Sequence, residues 1–478
     1  MKILLININL STKERYGKQL GKVGPTTEPL GLAYLAASIR KSSKHSVEII
    51  DAEVSQCNNE NLINQINKLK PEIIGISILT PNYTKAIETI NAIKDSIENI
   101  KIIVGGPHVT IFPKETLEKN KKIDYGVVGE GEITIIELLN AIERNKNINE
   151  VEGIVYRGKK GIELTSPRQY IMNIDEIPKP ARELLEMNRY KPAPTYYKRL
   201  PSYIILTTRG CPYRCSYCSK VFGGVYRFHS VKRILEEINE LITKYNTKEI
   251  IFRDDTFTVN KKIVTDLCNE LINKGINKKI KWTCMTRVNL VDEELLRLMK
   301  GAGCWSIHYG IESGSQRLLD LIQKDITIEQ IKNAVKWTKS AGIEVKAFFM
   351  IGLPTETKEE TLQTLKFMKE LDVDWVQVTI TVPYPGTKLF EIAKSDGTLK
   401  STNWENYQTW AGWSNKELVY TPKGRNAEEL KELQRKAMRE FYLRPKFIIN
   451  QLKNLKSLDN LKMYLHGAYA LINSKTIK

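Results

Sequence analysis

Cysteine is scarce in this chain: seven in 478 residues, three of them crowded into "RGCPYRCSYC" and four, Cys57, Cys268, Cys284 and Cys304, dispersed. So few thiols, so unevenly spaced, exclude a disulfide framework and leave Cys211, Cys215 and Cys218 as a metal or redox candidate in a reducing compartment. Histidine is scarcer still, at five: His45, His108, His229, His308 and His466. No uninterrupted apolar run approaches the length of a membrane span, which excludes a bilayer-crossing helix. The opening "MKILLININL" is apolar but short and lacks a cleavage-site pattern, so a first strand is expected there rather than a signal peptide, and the expected location is cytoplasmic. Acids are in deficit, 55 against 73 Lys and Arg, for a formal charge of +18. That surplus implies attraction to nucleic acid, phospholipid headgroups or acidic substrates without choosing among them, and a Lys-rich and Ile-rich proteome produces the same number.

What is present is a soluble globular composition, 41% hydrophobic and 27% charged, at a length that calls for two or three domains. Residues 1–145 alternate apolar runs ("KILLININL", "SVEIID", "EIIGISIL", "KIIVGG", "YGVVGEG") with helical periodicity. Continuous Val, Ile and Leu strands alternating with helices predict an α/β, doubly wound, flavodoxin-like domain with a parallel sheet. In such a sheet a ligand binds past the carboxyl ends of the strands. Those ends carry "SILTPN", "GGPHVT" and "GEGE", where glycines and hydroxyls permit close approach of a large ligand with amide and phosphate groups.

Residues 146–200 read as a linker, rich in Pro and turn residues, with a hairpin around "YRGKKGIEL". A second alternating series fills residues 201–395, with six strands from "YIILTTRG" to "WVQVTITVPYPGT". Six β/α units make an open, partial barrel whose chemistry belongs at the carboxyl ends of its strands. Residues 396–478 form a small, mostly helical region with Trp404, Trp410 and Trp413; from Lys446 onward six lysines face the single acid Asp459. A solvated basic face is the default there, with peripheral contact to a membrane or acidic lipid as the other expectation.

Zinc would need a fourth ligand beside the three thiols, and His229 is the only nearby histidine. Three thiolates on one loop can instead hold three irons of a cubane cluster, leaving the fourth iron open. The spacing Cys-x3-Cys-x2-Cys, with Tyr217 just before the last cysteine and placed after the first strand of a six-unit barrel, resembles the radical S-adenosylmethionine (SAM) superfamily. The resemblance implies a [4Fe-4S] cluster on Cys211, Cys215 and Cys218, whose open iron is chelated by SAM, and cleavage of SAM to a 5'-deoxyadenosyl radical. It further implies SAM-binding roles at later strand ends: Asp254 and Asp255 for the amino group, Arg287 for the carboxylate, Glu312 and Ser313 for the ribose, and Gly352 and Pro354 beside the adenine. "PYPGT" ends the sixth strand.

The order of domains resembles the class whose first domain binds cobalamin, carried by "EPLGLAYLAASIR", "GGPHVT" and "GEGE". Ser77, Thr80, Gly105, Gly106, His108, Gly129 and Gly131 are then the expected cradle; turn geometry alone would also explain the glycines. The Asp-x-His-x-x-Gly loop of modules that ligate cobalt through a protein histidine does not occur, which is compatible either with cobalamin held without a protein nitrogen or with an inherited fold that no longer holds it. The implied activity is methylation of an unactivated carbon of a small-molecule or lipid substrate, with two SAM consumed and an electron donor such as ferredoxin or flavodoxin. Within the same superfamily stand cyclisation, oxidation or carbon–carbon coupling, as in the magnesium-protoporphyrin ester cyclase, and methylthiolation of transfer RNA, the latter weakened by the absence of a second cysteine group. From another class stands a metal-cluster protein binding RNA through its positive charge, though no RNA module or basic–aromatic groove is visible.

Overall fold

The computed structural model describes residues 1–8, 10–12, 14, 24–414 and 416–453. In its amino-terminal sheet the strands are β1 (Lys2–Asn7), β2 (Ser46–Asp51), β3 (Ile73–Ser77), β4 (Lys101–Gly105), β5 (Tyr125–Val127), β6 (Ile154–Gly158) and β7 (Gly161–Leu164), in spatial order β2-β1-β3-β4-β5-β6-β7. The first five are parallel, in the flavodoxin-like order, and both faces are covered. Along β1 this is explicit: Leu4 and Ile6 belong to one buried cluster, Ile3 and Leu5 to another on the opposite face.

The hairpin expected in the linker is β6–β7, and it extends this sheet. β6 pairs antiparallel with β5 through Tyr125–Tyr156 and Val127–Ile154, so the domain boundary expected after residue 145 falls inside the sheet. The physical reason is edge protection: without the hairpin, the three-residue β5 would leave an apolar edge unpaired.

The second sheet holds six parallel strands, β8 (Ser202–Ile205), β11 (Glu249–Phe252), β12 (Lys281–Thr286), β13 (Cys304–Glu312), β14 (Glu344–Ile351) and β15 (Trp375–Ile380); a short ribbon of β9 (Thr208–Arg209) and β10 (Arg227–Phe228) follows β8. This is the open barrel. Its helices start on sequence-readable signals, such as the capping boxes at Thr327 with Gln330 and Thr357 with Glu360. The apolar side chains of the strands face the helices: Ile307, Tyr309 and Ile311 of β13 and Val345, Ala347, Phe349 and Ile351 of β14 lie in one core. The alternate positions, Ser306, His308, Gly310 and Glu312 on β13 and Lys346 on β14, therefore face the lumen, which is polar rather than packed with aliphatic side chains.

The carboxyl-terminal helix Ala427–Tyr442 covers the free edge of β15. Gln434 Nε2 donates to the Val378 carbonyl (2.9 Å) and Tyr442 Oη to the Val376 carbonyl (2.6 Å), while Leu430, Leu433, Ala437 and Phe441 bury their apolar stripe. Of the lysine-rich tail, residues 454–478 lie outside the described residues. Among the described residues no helix is long and apolar enough to cross a membrane.

Candidate active site

The loop carrying the three cysteines leaves the barrel through β9 and returns through β10. Gly210 sits at φ +82°, and a β-carbon there would run into the Val225 carbonyl, so only glycine lets the chain turn into the loop. Backbone bonds tie the loop at three points: Cys211 N to Gly223 O (3.3 Å), Ser216 N to Ile322 O (2.9 Å) and Leu389 N to Ser216 O (2.9 Å). Cys211 Sγ lies 3.7 Å from Thr256 Oγ1, and Arg287 Nη1 donates to Cys215 Sγ at 3.5 Å. Cys218 is reached by solvent yet recessed, and the surrounding protein, then Cys215, Asp255 and Cys211, push its thiol up to about 12. A thiol so placed ionises only against a strong positive charge, as a bound iron cluster provides.

Whether the thiols suit a single ion or a cluster is a question of spacing. Tetrahedral zinc with Zn–S of about 2.3 Å needs its sulfurs within ~4 Å of one another. Among the described residues no three His, Cys, Asp or Glu side chains converge in that way. Thiols on three different irons of a cubane need no such convergence. His229, the zinc alternative, is spent elsewhere: it is buried, with Nδ1 2.8 Å from Asp175 Oδ1.

The two expected aspartates divide sharply. Asp254 is buried and accepts four bonds, from the backbone N–H and hydroxyl of both Thr207 and Thr208 at 2.7–3.0 Å, which fixes the exit of β8 into the cysteine loop. Burial nevertheless raises its carboxyl to about 6. Asp255 is exposed, makes no side-chain bond among the described residues and lies close enough to Cys218 to raise its thiol. Of the two aspartates, Asp255 is the one whose oxygens are left to accept.

Glu312 ends β13 in the left-handed region at φ +70°, after a register shift at Gly310. Its Oε1 accepts from Tyr217 Oη (2.8 Å) and from Lys324 Nζ (2.7 Å), and Oε2 accepts nothing among the described residues. Gly310 makes the room: a β-carbon there would sit 2.6 Å from Glu312 Oε1 and 2.9 Å from Lys324 Nζ. Ser313, expected beside it, is fully buried and faces away, bonded to Thr364 Oγ1 (3.1 Å) and to the Ser315 amide.

Arg287 is also largely committed. It stacks on Tyr213 with its guanidinium carbon 3.8 Å from the ring centroid, and it donates to Asn289 and to the Lys324 carbonyl as well as to Cys215. Gly352, at φ +76°, abuts Leu430 and Pro422 of the carboxyl-terminal region, and Pro354 is half-buried beside it. Leu353 packs with Leu318, Ile322, Met350 and Tyr217, an apolar wall next to the cysteine loop.

Sequence reasoning missed Lys324 and Glu356. Lys324 is buried just past the short helix Gln316–Leu321, where a lysine in a polar turn carries no motif. Glu356, in "GLPTET", is a capping-type acid: it accepts from Leu353 N (2.7 Å) and Thr361 Oγ1 (2.8 Å) and pins the turn.

On the amino-terminal strand ends, Gly106 at φ +95° leaves no space for a β-carbon, which would fall 2.9 Å from Ser77 Oγ and from the Ile78 carbonyl. Thr80 Oγ1 and His108 Nδ1 are 3.2 Å apart and buried, and His108 packs against Tyr83 and Trp404. Burial holds the imidazole down at about 4, so it is neutral. Gly105 packs on Val127 of the neighbouring strand, and Gly131, opening its helix, on Leu35 of the helix Leu30–Ser42. Gly129 differs: at φ +82° it has open space before it, and the apolar Leu79 on the same strand-end face is 44% exposed. An open, partly apolar floor of this kind fits the face of a large planar ligand.

The glutamates of "GEGE" do something the sequence did not reveal. Glu130 accepts from Arg209 (3.3 Å) and Arg227 (2.7 Å), and Glu132 from Arg209 (2.5 Å), all four side chains at most 9% exposed. These arginines belong to β9 and β10, the two legs of the cysteine loop. On another side, Ile111 packs on Gly386 of "PYPGT" and Trp404 on His108. The strand ends of both domains are therefore held toward each other.

An open six-strand barrel with three thiols after its first strand, facing a doubly wound domain, defines a radical SAM protein with a cobalamin-binding-type first domain. Family models agree: the radical SAM superfamily matches residues 205–368 and the B12 binding domain residues 19–139. An uncharacterized methyltransferase of Pyrococcus horikoshii is 39% identical over 454 residues, 95% of each chain. The anaerobic magnesium-protoporphyrin IX monomethyl ester cyclase of Cereibacter sphaeroides is 30% identical over 371 residues, 76% of this chain and 60% of that one. Among solved structures, the radical SAM methyltransferase TsrM of Kitasatospora setae, with cobalamin and a [4Fe-4S] cluster bound, superposes with a TM-score of 0.68 at 20% identity, over 84% of this chain and 79% of that one. The chain belongs to the cobalamin-dependent radical SAM family, and its cofactors are a [4Fe-4S] cluster, SAM and cobalamin.

Proposed function

We propose that the protein methylates an unactivated carbon of a small-molecule or lipid substrate held between its two domains. The observation that carries this is the buried Glu130–Arg209–Arg227 network, which tethers the cysteine loop to the cobalamin-type domain and so fixes the two reactive faces opposite each other. When bound, the cluster and SAM supply hydrogen abstraction and cobalamin supplies the methyl group, drawn from a second SAM. Cys211, Cys215 and Cys218 hold three irons, and Arg287 neutralises charge at Cys215. Asp255 receives the SAM ammonium, Glu312 the ribose through its free Oε2, and the wall of Leu353, Met350 and Tyr217 the adenine, above the turn shaped by Gly352 and Pro354. Asp254 and Ser313 position these groups without touching the ligand. Ser77, Leu79 and Gly129 floor the cobalamin side, with Thr80, Gly105, Gly106, His108 and Gly131 shaping it.

A reduced ferredoxin or flavodoxin is the expected electron source. Peripheral contact through the basic tail is testable by liposome flotation. The anaerobically reconstituted protein, given its substrate, should consume two SAM per methylated product. Strictly one SAM per turnover would instead support cyclisation or coupling and end the methylation reading.

A further inference from the structure

The barrel lumen brings two basic side chains, Lys346 and Arg253, to a single phenol, Tyr196. Lys346 is 4% exposed and pairs in register with His308 on the neighbouring strand. Its Nζ donates to Thr195 Oγ1 (2.8 Å) and sits 3.6 Å from the centre of the Tyr196 ring, a residue contributed by the segment before β8. Arg253, just past the end of β11, has its guanidinium carbon 5.4 Å from the same ring and remains accessible. His308 is 1% exposed, stands edge-on to Tyr196 at 4.8 Å, and neither ring nitrogen has a partner among the described residues.

Among the described residues no carboxylate bonds to this group. Acids on and just past the same strands are already used: Asp254 by Thr207 and Thr208, Glu249 by the Lys198 amide and Trp305 Nε1, and Glu344 by Lys198 and Trp375 Nε1. Burial with Lys346 and Arg253 keeps His308 neutral, so it offers one N–H at all ordinary pH. Lys346 is in turn pushed down by burial, and the two cations hold the Tyr196 phenol below its usual value despite its own burial. Two cations around one phenol and an unpaired imidazole are costly to keep dry unless an anion joins them.

We propose that Arg253, Lys346, Tyr196 and His308 form an anion seat in the barrel lumen that binds a carboxylate or phosphate group of the substrate. This rests on the methyltransferase reading for what lies above it. His308 and Glu312 are four residues apart on β13, so the seat lies ~13 Å along the strand from Glu312.

The test is thermal unfolding of the anaerobic holoenzyme, titrated with inorganic phosphate and separately with propionate, against chloride at matched ionic strength. Saturable stabilisation by one of the two is expected, and the effective anion names the substrate's group. In Lys346→Met and Arg253→Gln the response should weaken roughly tenfold or more. Lys346→Met should also be at least as stable as wild type in chloride, since an unpaired buried charge is removed. No saturable response to either anion, an unchanged response in both variants, or a Lys346→Met protein destabilised in chloride overturns the proposal. Cluster absorption and substrate-free SAM cleavage, measured on the same wild-type samples, separate the two ideas: their loss defeats the enzymatic reading, whereas their presence without an anion response defeats only the seat.

Discussion

Replacing Glu130 with alanine should loosen the cysteine loop without touching a cysteine. Glu130 serves two guanidiniums, and the side chains of Arg209 and Arg227 are 4% and 1% exposed. Removing one partner of a buried pair costs about 3–5 kcal/mol. Arg209 keeps Glu132, and its guanidinium still lies against the rings of Tyr34 and Phe222. Arg227 falls back on the carbonyls of Phe222 and Ile171 and the Tyr170 ring. The loss therefore belongs at the low end, about 3 kcal/mol, which corresponds to roughly a hundredfold in the opening equilibrium. Hydrogen exchange resolves such local opening, and the amides of residues 209–228 should exchange about a hundredfold faster in Glu130→Ala while those of β13 and β14 are unchanged. Lys262→Ala is the control: its pair with Asp266 is solvated, worth about 0.3–0.5 kcal/mol, and should shift exchange less than threefold. With the loop loosened, SAM cleavage should fall less than methyl transfer, because both use the cysteine loop but only the latter also needs the two domains in register. Exchange of residues 209–228 within threefold of wild type would refute the tether.

Three further outcomes follow from the site. Alanine at Cys211, Cys215 or Cys218 should each abolish the visible iron–sulfur absorption after anaerobic reconstitution, and a full cluster in any of them contradicts the three-thiol assignment. Asp254→Asn keeps one oxygen for the two amides and the Thr208 hydroxyl but turns an NH2 toward the Thr207 hydroxyl and gives up the charge, and should cost about 1–3 kcal/mol in denaturant unfolding, whereas Asp255→Asn should leave stability within about 0.5 kcal/mol and weaken SAM binding roughly tenfold by calorimetry; the reverse pattern undoes the division between them. Burial raises the Glu356 carboxyl from 4.5 to about 7, so the proton is held more tightly in the folded state; its stabilising effect is full below about 4.5 and lost as pH rises through about 7. Wild type should accordingly lose about 2 kcal/mol relative to Glu356→Gln between pH 5 and pH 8, and a flat difference speaks against a buried titrating acid at the "GLPTET" turn.

Periodicity and strand ends carried most of the architecture. The six barrel strands, the flavodoxin-like order and the cysteine loop were legible because buried parallel strands read as apolar runs and because three thiols at fixed spacing have few other uses. The hairpin's attachment was not legible, since pairing partners of a short polar hairpin leave no trace in its own residues. Nor could sequence tell Asp254 from Asp255: adjacent residues on a strand end point opposite ways, and only the positions of Thr207 and Thr208 decide which one is saturated. "GEGE" drew attention to its glycines, which suit a ligand cradle, when its glutamates carry the inter-domain bonds. The partners are about 80 residues away, beyond any local pattern.

The openness of the barrel makes those bonds functionally pointed. A closed eight-strand barrel holds its own loops by circular packing, but six strands leave two free edges and a mouth with nothing opposite. Here the β15 edge is closed by the helix Ala427–Tyr442, whose Leu430 and the preceding Arg425 also brace the "GLPTET" turn: Arg425 donates to the Glu356 carbonyl and to Thr361 Oγ1. The cysteine loop beside β8 is closed by Glu130 and Glu132 from the first domain. Each region outside the barrel thus holds one wall of the proposed SAM site, the carboxyl-terminal region the "GLPTET" turn and the amino-terminal domain the cysteine loop. Loss of either should disturb SAM binding in its own way, the first by relaxing Leu353 and the second by moving Cys218, even though neither region supplies a ligand to the cluster.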